Sequence, residues 1–179
     1  RGLGAYILFN ELKPGIDPLG PENKLVIATG VVTGIPFPGN SCHAVMAKSP
    51  LTGIWGEAHA KGFFGPELKS AGYDAVVVEG KSDAPVYLWV NDGKAEIRDA
   101  SNIWGKMIRE AQKSVKEEVK DDRAVVGCIG PAGENLVRFA NVLFGFNHAA
   151  GRTGLGAVMG SKKLKAIAVR GTGRVRYAH

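Results

Sequence analysis

The stretch HAAGRTGLGAVMGSKKLKAIAV, residues 148–169, sets small residues beside Arg152, Lys162, Lys163 and Lys165. Small side chains let another object approach the backbone, and cations favour an anionic one. Gly154 and Gly156 are placed to open a helix whose free N–H groups would attract negative charge, with Arg152 adjacent. The same glycines could instead serve tight helix–sheet packing, and their spacing leaves both readings open. Neither standard phosphate motif is present. GRTGLG (151–156) reverses the glycine order of the dinucleotide fingerprint, and GLGAVMGSKK lacks the Gly-Lys-Ser/Thr ending of the P-loop.

Cys42, His43, His59 and His148 carry donor atoms suited to zinc or copper, but their spacing fits no metal motif. Ser41 beside Cys42 and His43 is too local for a triad, whose members come from separate segments, and no acid–base dyad stands out. Two cysteines cannot alone ligate an iron–sulfur cluster or a structural zinc. Cys128, inside the apolar run AVVGCIG (124–130), reads as a buried, inert thiol. Side-chain catalysis is therefore not expected here.

These residues need a folded frame. At 179 residues, 45% hydrophobic and 22% charged, the chain suits one soluble globular domain with a real core (1–179). Its 25 glycines are about twice the usual ~7%. A net charge of +6 would permit nucleic-acid binding, but the cations are dispersed and not interleaved with aromatics. No nucleic acid is expected, and an anionic cofactor accounts for the surplus equally well. Apolar runs such as AVVV (75–78) fall far short of the ~20 residues that span a bilayer, and no leader pattern is present. The expectation is a cytoplasmic protein with no membrane partner. The chain opens at Arg1 inside a helical pattern without an initiating methionine, as expected of a piece of a longer polypeptide.

Along the chain, RGLGAYILFNEL (1–12) has helical spacing and stops before Pro14. KLVIATG (24–30) reads as a buried strand, and residues 31–63 as short strands broken by glycines. GPELKSAG (65–72) is a short helix before the apolar strand AVVVEG (75–80). PVYLWV and KAEIRD flank Asp92-Gly93, a strong type I′ hairpin signal. Residues 101–120 are predicted to form the best helix, with Trp104, Met107, Ile108, Ala111, Val115 and Val119 as its stripe and Ser101 or Asn102 as its cap. A weak repeat relates residues 24–80 to 124–171: strand, glycine-rich turn, Leu-Lys helix end, apolar strand, glycine. Two such copies suggest a pseudo-twofold domain, able to hold something that is itself twofold.

The blocks RGLGAYIL, PENKLVIATG, AKSPLTGIWGEA, GFFGPELKSAGYDAVVVEGK, IRDASNIWGK, IGPAGENLVRFANV and AAGRTGLGAVMGSKKLKAIAVRG, in that order, span nearly the whole chain. They resemble the N-terminal domain of the aldehyde ferredoxin oxidoreductase family. The resemblance implies a tungsten oxidoreductase that turns aldehydes into carboxylic acids and passes electrons to ferredoxin. Its metal would carry two pterin-dithiolene ligands (tungstopterin, of the molybdopterin type), and a four-iron four-sulfur cluster would sit in domains that follow. The implied fold is α+β, a duplicated pseudo-twofold domain of two packed β-sheets flanked by helices, with one half under each pterin. Such a domain binds and orients while the cofactor supplies the redox chemistry.

The resemblance also implies a site made of Cys42, His59, Ala60, Lys61 and Gly62 with His148, Ala149, Gly151, Arg152 and Gly154. Main-chain carbonyls at His59 and Ala149 would hold a magnesium ion bridging the pterin phosphates. Departures from the family pattern are specific. Family members usually have Asn-Ser-Gly-Gly where this chain has His59-Ala60-Lys61-Gly62, and often arginine where it has Cys42. They often have His-Arg-Ala-Ala-Gly-Arg-Gly-Gly where it runs from Asn147 to Gly154. Main-chain ligands tolerate such changes. The two lost arginines leave Lys61, Arg152 or the histidines to grip phosphate. Implied partners are ferredoxin, an aldehyde, the remaining domains of the same chain and a possible second copy. A tungsten-dependent acyl-CoA reductase with the same cradle and a non-redox phospholigand-binding module are the rival readings. On the leading one, loops 40–43, 59–62 and 148–154 meet on one concave face, with residues 59 and 149 in corresponding places.

Overall fold

Five consecutive buried residues, Leu25–Thr29, make a central strand, β1, because a run without polar alternation is stable only when covered on both faces. In the computed structural model, which describes residues 1–175, β1 pairs antiparallel with β2 (His43–Lys48) and β4 (Ala75–Val78), and β2 pairs with β3 (Trp55–Ala60). The first sheet therefore runs β3-β2-β1-β4, with helix α2 (Phe64–Ser70) joining β3 to β4. Residues 176–179 of the expected 1–179 domain lie outside the described residues.

The second sheet repeats this plan. β7 (Val125–Cys128), followed by the short helix α4 (Pro131–Glu134), pairs antiparallel with β8 (Val142–Phe144) and β10 (Leu164–Arg170), β8 pairs with β9 (His148–Ala150), and α5 (Leu155–Ser161) joins β9 to β10. The order β9-β8-β7-β10 matches β3-β2-β1-β4 strand for strand. The added hairpin β5 (Val86–Asn91) and β6 (Lys94–Asp99) extends only this sheet, through a parallel β5–β10 pairing. Asp92 and Gly93 both have positive φ, at 42° and 82°, as a type I′ turn demands.

Register makes the correspondence residue-specific. Ala28 pairs with Ala44 and Ala75, and Ala44 with His59. Cys128 pairs with Leu143 and Ala166, and Leu143 with Ala149. His59 and Ala149 thus occupy the same place in corresponding rows.

Both sheets share the main core, into which α2 and α5 insert Phe64, Leu68, Leu155 and Met159. A second cluster lies between the larger sheet and α3 (Ile108–Val119), and a third between the first sheet and α1 (Gly2–Glu11). The expected 101–120 helix is corrected at its start. Gly105 has φ +83°, which a right-handed helix cannot accommodate, so residues 101–105 form turns and α3 begins at Ile108. Ser101 does not cap it; its N–H and hydroxyl bond to Asp99. Ile108, Ala111, Val115 and Val119 still form the buried stripe, whereas Met107 is 63% exposed. No described helix is long and apolar enough to cross a membrane.

Candidate functional site

Alternation along β3 turns Gly56, Ala58 and Ala60 inward and leaves Trp55, Glu57 and His59 on the other face. Arg1, at the start of α1, reaches that face and donates from Nε to both Glu57 carboxylate oxygens, at 2.7 and 3.0 Å. Trp55 Nε1 donates to Glu57 Oε2 at 3.3 Å, and His59 Nε2 bonds to Oε1. Burial pushes the Glu57 carboxyl upward, but the bonds from His59 and Arg1 more than offset this and hold it below the usual value. On the opposite side of the imidazole, Nδ1 lies 3.4 Å from Cys42 Sγ. The structure thus joins a thiol, an imidazole and a carboxylate, where the sequence offered no nucleophile–base pair.

Edge strands β3 and β9 lie side by side. Between them opens a cleft of about 750 Å³, lined by Arg1, Glu57, His59, Ala149, Gly151 and Arg152 among others. The loops are tied across it. Ser49 Oγ donates to the Thr153 carbonyl at 2.7 Å, and a Cβ on Gly62 would run into the His148 ring. Cys42 against His59, Gly62 against His148, and His59 beside Arg152 therefore bring the three expected loops together. Two of the three loops also put an exposed cation before a left-handed residue: Lys61 before Gly62 at φ +81°, and Arg152 before Thr153 at φ +62°. Ala60 is buried in the core immediately beneath.

The start of α5 is corrected. Two of its first N–H groups are already bonded: Gly156 donates to the Ala140 carbonyl and Ala157 to that of Gly154, both at 3.0 Å. A Cβ on Gly154 would strike the Arg138 carbonyl, and one on Gly156 the Asn141 carbonyl. These glycines serve close packing, and Gly154 is buried away from the cleft. His43 also turns inward. It is 1% exposed, wedged between the Phe64 and Phe144 rings at 5.1 and 4.3 Å, and neither ring nitrogen has a hydrogen-bond partner.

Among the described residues, no three His, Cys, Asp or Glu side chains converge as metal ligands. A cation in the cleft would therefore be held by main-chain and ligand oxygens, which suits a hard ion such as magnesium. Edge strands supply such oxygens, because their outer carbonyls have no ladder partner, and β3 and β9 are both edges. The donor set fits the implied group. Sequence reasoning missed Arg1, Trp55, Glu57 and Thr153; the alternation in WGEAHA is the one signal that could have grouped Trp55 and Glu57 with His59.

Two repeated strand–helix units facing an open seam define a duplicated α+β domain. The family model described as aldehyde ferredoxin oxidoreductase, N-terminal domain, matches residues 1–171. The chain is 55% identical to a tungsten-containing aldehyde ferredoxin oxidoreductase of Pyrococcus horikoshii and 54% to that of Pyrococcus abyssi, in each case over 99% of this chain and 29% of the relative. Among solved structures it superposes on the active-site complex BamBC of benzoyl coenzyme A reductase with a TM-score of 0.95 and 44% identity, over 97% of this chain and 26% of that one. The chain belongs to the aldehyde ferredoxin oxidoreductase family, as its N-terminal domain, and spans less than a third of the length of the curated relatives it matches.

Proposed function

We propose that this domain is the tungstopterin cradle of an oxidoreductase that converts aldehydes to carboxylic acids with ferredoxin as electron acceptor. The observation that carries the reading is that the corresponding residues His59 and Ala149 line one cleft together with Arg152, with Lys61 exposed two residues beyond His59. A twofold cofactor with an anionic end over each half matches that pairing. Lys61 and Arg152 would hold those ends, and the His59 and Ala149 carbonyls would bind a magnesium ion. Gly151 lines the cleft, Cys42 reaches it through its contact with His59, and Gly62 and His148 pack against each other behind it, while Ala60 and Gly154 set the loops from below. When bound, the tungstopterin supplies the two-electron chemistry, and this chain binds and orients it. The four-iron four-sulfur cluster belongs to further domains of the same polypeptide. Two free cysteines with no disulfide fit a reducing cytoplasm.

The test is Arg152→Glu in the full-length polypeptide. Bound tungsten and pterin should fall severalfold with the circular dichroism spectrum unchanged; undiminished metal content would remove Arg152 from the grip. The likeness to a benzoyl coenzyme A reductase complex supports a second reading, the same cradle serving an acyl-CoA reductase. Assaying aldehyde oxidation against acyl-CoA reduction separates the two. A full-length protein purified without tungsten or pterin would favour a non-redox phospholigand module.

A further inference from the structure

We infer that the first sheet is completed by a β-hairpin from the polypeptide immediately before Arg1, which adds to the open edge of β4 and faces the β5–β6 hairpin. This is independent of the cofactor reading and rests on how the two repeated units differ. The short α4 aside, each unit runs helix, three antiparallel strands, helix, strand, with α1 in the place of α3 and β4 in that of β10. Only the second has a hairpin ahead of its helix, and that hairpin pairs along β10. β4 instead ends its sheet. The Thr29 N–H donates to the Asp74 carbonyl at 2.9 Å, and alternation then aims the N–H and C=O groups of Ala75 and Val77 away from β1. The strand, AVVV, has no charge or proline of the kind that keeps an exposed edge from pairing.

Both faces of the edge call for the same partner. On the inner face, four strands oppose six, so among the described residues no strand lies opposite the β5–β6 hairpin. Ile97 is 75% exposed there, and with Val86, Leu88, Val76 and Val78 it lines a groove of about 520 Å³ beside β4. On the outer face, Leu3, Ile7 and Glu11 share one side of α1. Glu11 and Glu79 both bind the Lys24 ammonium, which puts that side over β4. Leu3 is exposed and Ile7 half-buried, whereas under α3 the corresponding space is filled by Tyr87 and Trp89 of β5. Register fixes the position of the added strand. Ala75 and Ala166 correspond, because they pair with the matching residues Ala28 and Cys128. Tyr87 lies opposite Ala166 and Trp89 opposite Ala168, in a parallel pair. The added strand therefore runs parallel to β4 and sets large apolar side chains opposite Ala75 and Val77, against Leu3 and Ile7. Its alternate residues point onto Leu88 and Ile97. The second unit uses residues 86–107 for its hairpin and the link to α3, and a segment of that length directly ahead of α1 does the same for the first. The curated relatives, of which this chain covers 29%, have polypeptide to spare for it.

The experiment reads hydrogen exchange, amide by amide, in the full-length polypeptide and in a version shortened to begin at Arg1. In the full-length protein the Ala75 and Val77 amides should be as protected as those of Val76 and Val78. In the shortened one they should exchange at least about a hundredfold faster, while Val76 and Val78 keep their protection. Fast exchange of Ala75 and Val77 in the full-length protein overturns the inference. Protection that survives the shortening also overturns it, because downstream chain or a second copy then covers the edge. If the shortened protein does not fold, a photoreactive phenylalanine replacing Ile97 in the full-length polypeptide decides the matter. Its cross-link, mapped by mass spectrometry, should fall on residues that precede Arg1; a cross-link elsewhere, or none, overturns the inference.

Discussion

His43 sits between two phenylalanine rings with both nitrogens unpartnered. Burial, reinforced by nearby His148, pulls its pKa down from 6.5 to about 4. The folded state therefore resists the proton that the unfolded chain accepts. Above the unfolded value of 6.5, both states hold the imidazole neutral and its contribution is intact. As pH falls towards about 4, stability drains away, by up to about 3 kcal/mol, and then levels off. His43→Leu should flatten urea midpoints across that window; an unchanged pH slope would show that another group is responsible. The sequence presented His43 among possible metal ligands, and only the strand register reveals that it faces the core. Likewise Cys42 and His59 are 17 residues apart, and their meeting depends on how β2 pairs with β3.

At the scale of elements, β10 is fixed by an ion pair in the interior. Lys165 is fully buried, donates to the Lys106 carbonyl at 2.9 Å and pairs with Glu134, whose carboxylate also accepts the Gly105 N–H. Glu134→Gln leaves an ammonium buried without its counter-charge and should cost about 3–5 kcal/mol in urea denaturation. The double change Glu134→Leu with Lys165→Met should cost less than that single one. Gly156→Ala would drive a methyl into the Asn141 carbonyl and should destabilise by about 1–3 kcal/mol. β1, β7 and the Asp92-Gly93 hairpin were legible because apolar runs and turn chemistry are local signals. The start of α3 was not: Trp104 and Met107 extend the helical spacing, while the backbone at Gly105 turns the other way. Glu134 and Lys165 were equally hidden, since burial of a charge depends on a partner 31 residues away.

For the molecule as a whole, the chain expressed alone should be colourless and show no aldehyde-dependent dye reduction, since its two cysteines cannot ligate a four-iron cluster. A brown product with bound iron would contradict this. The repeat was visible in the sequence as two apolar strands ending in glycine. Its extent was not, because matching strand order and register are long-range properties of the backbone. That matching is topological and stops short of chemistry: where one unit has Cys42 and His59, the rows of the other put Asn141 and Ala149. A ligand with two identical ends, laid across the seam, would meet different groups at each end. Seating it lifts the degeneracy of its halves, so spectroscopy on a bound symmetric ligand would resolve two signals where the free molecule gives one.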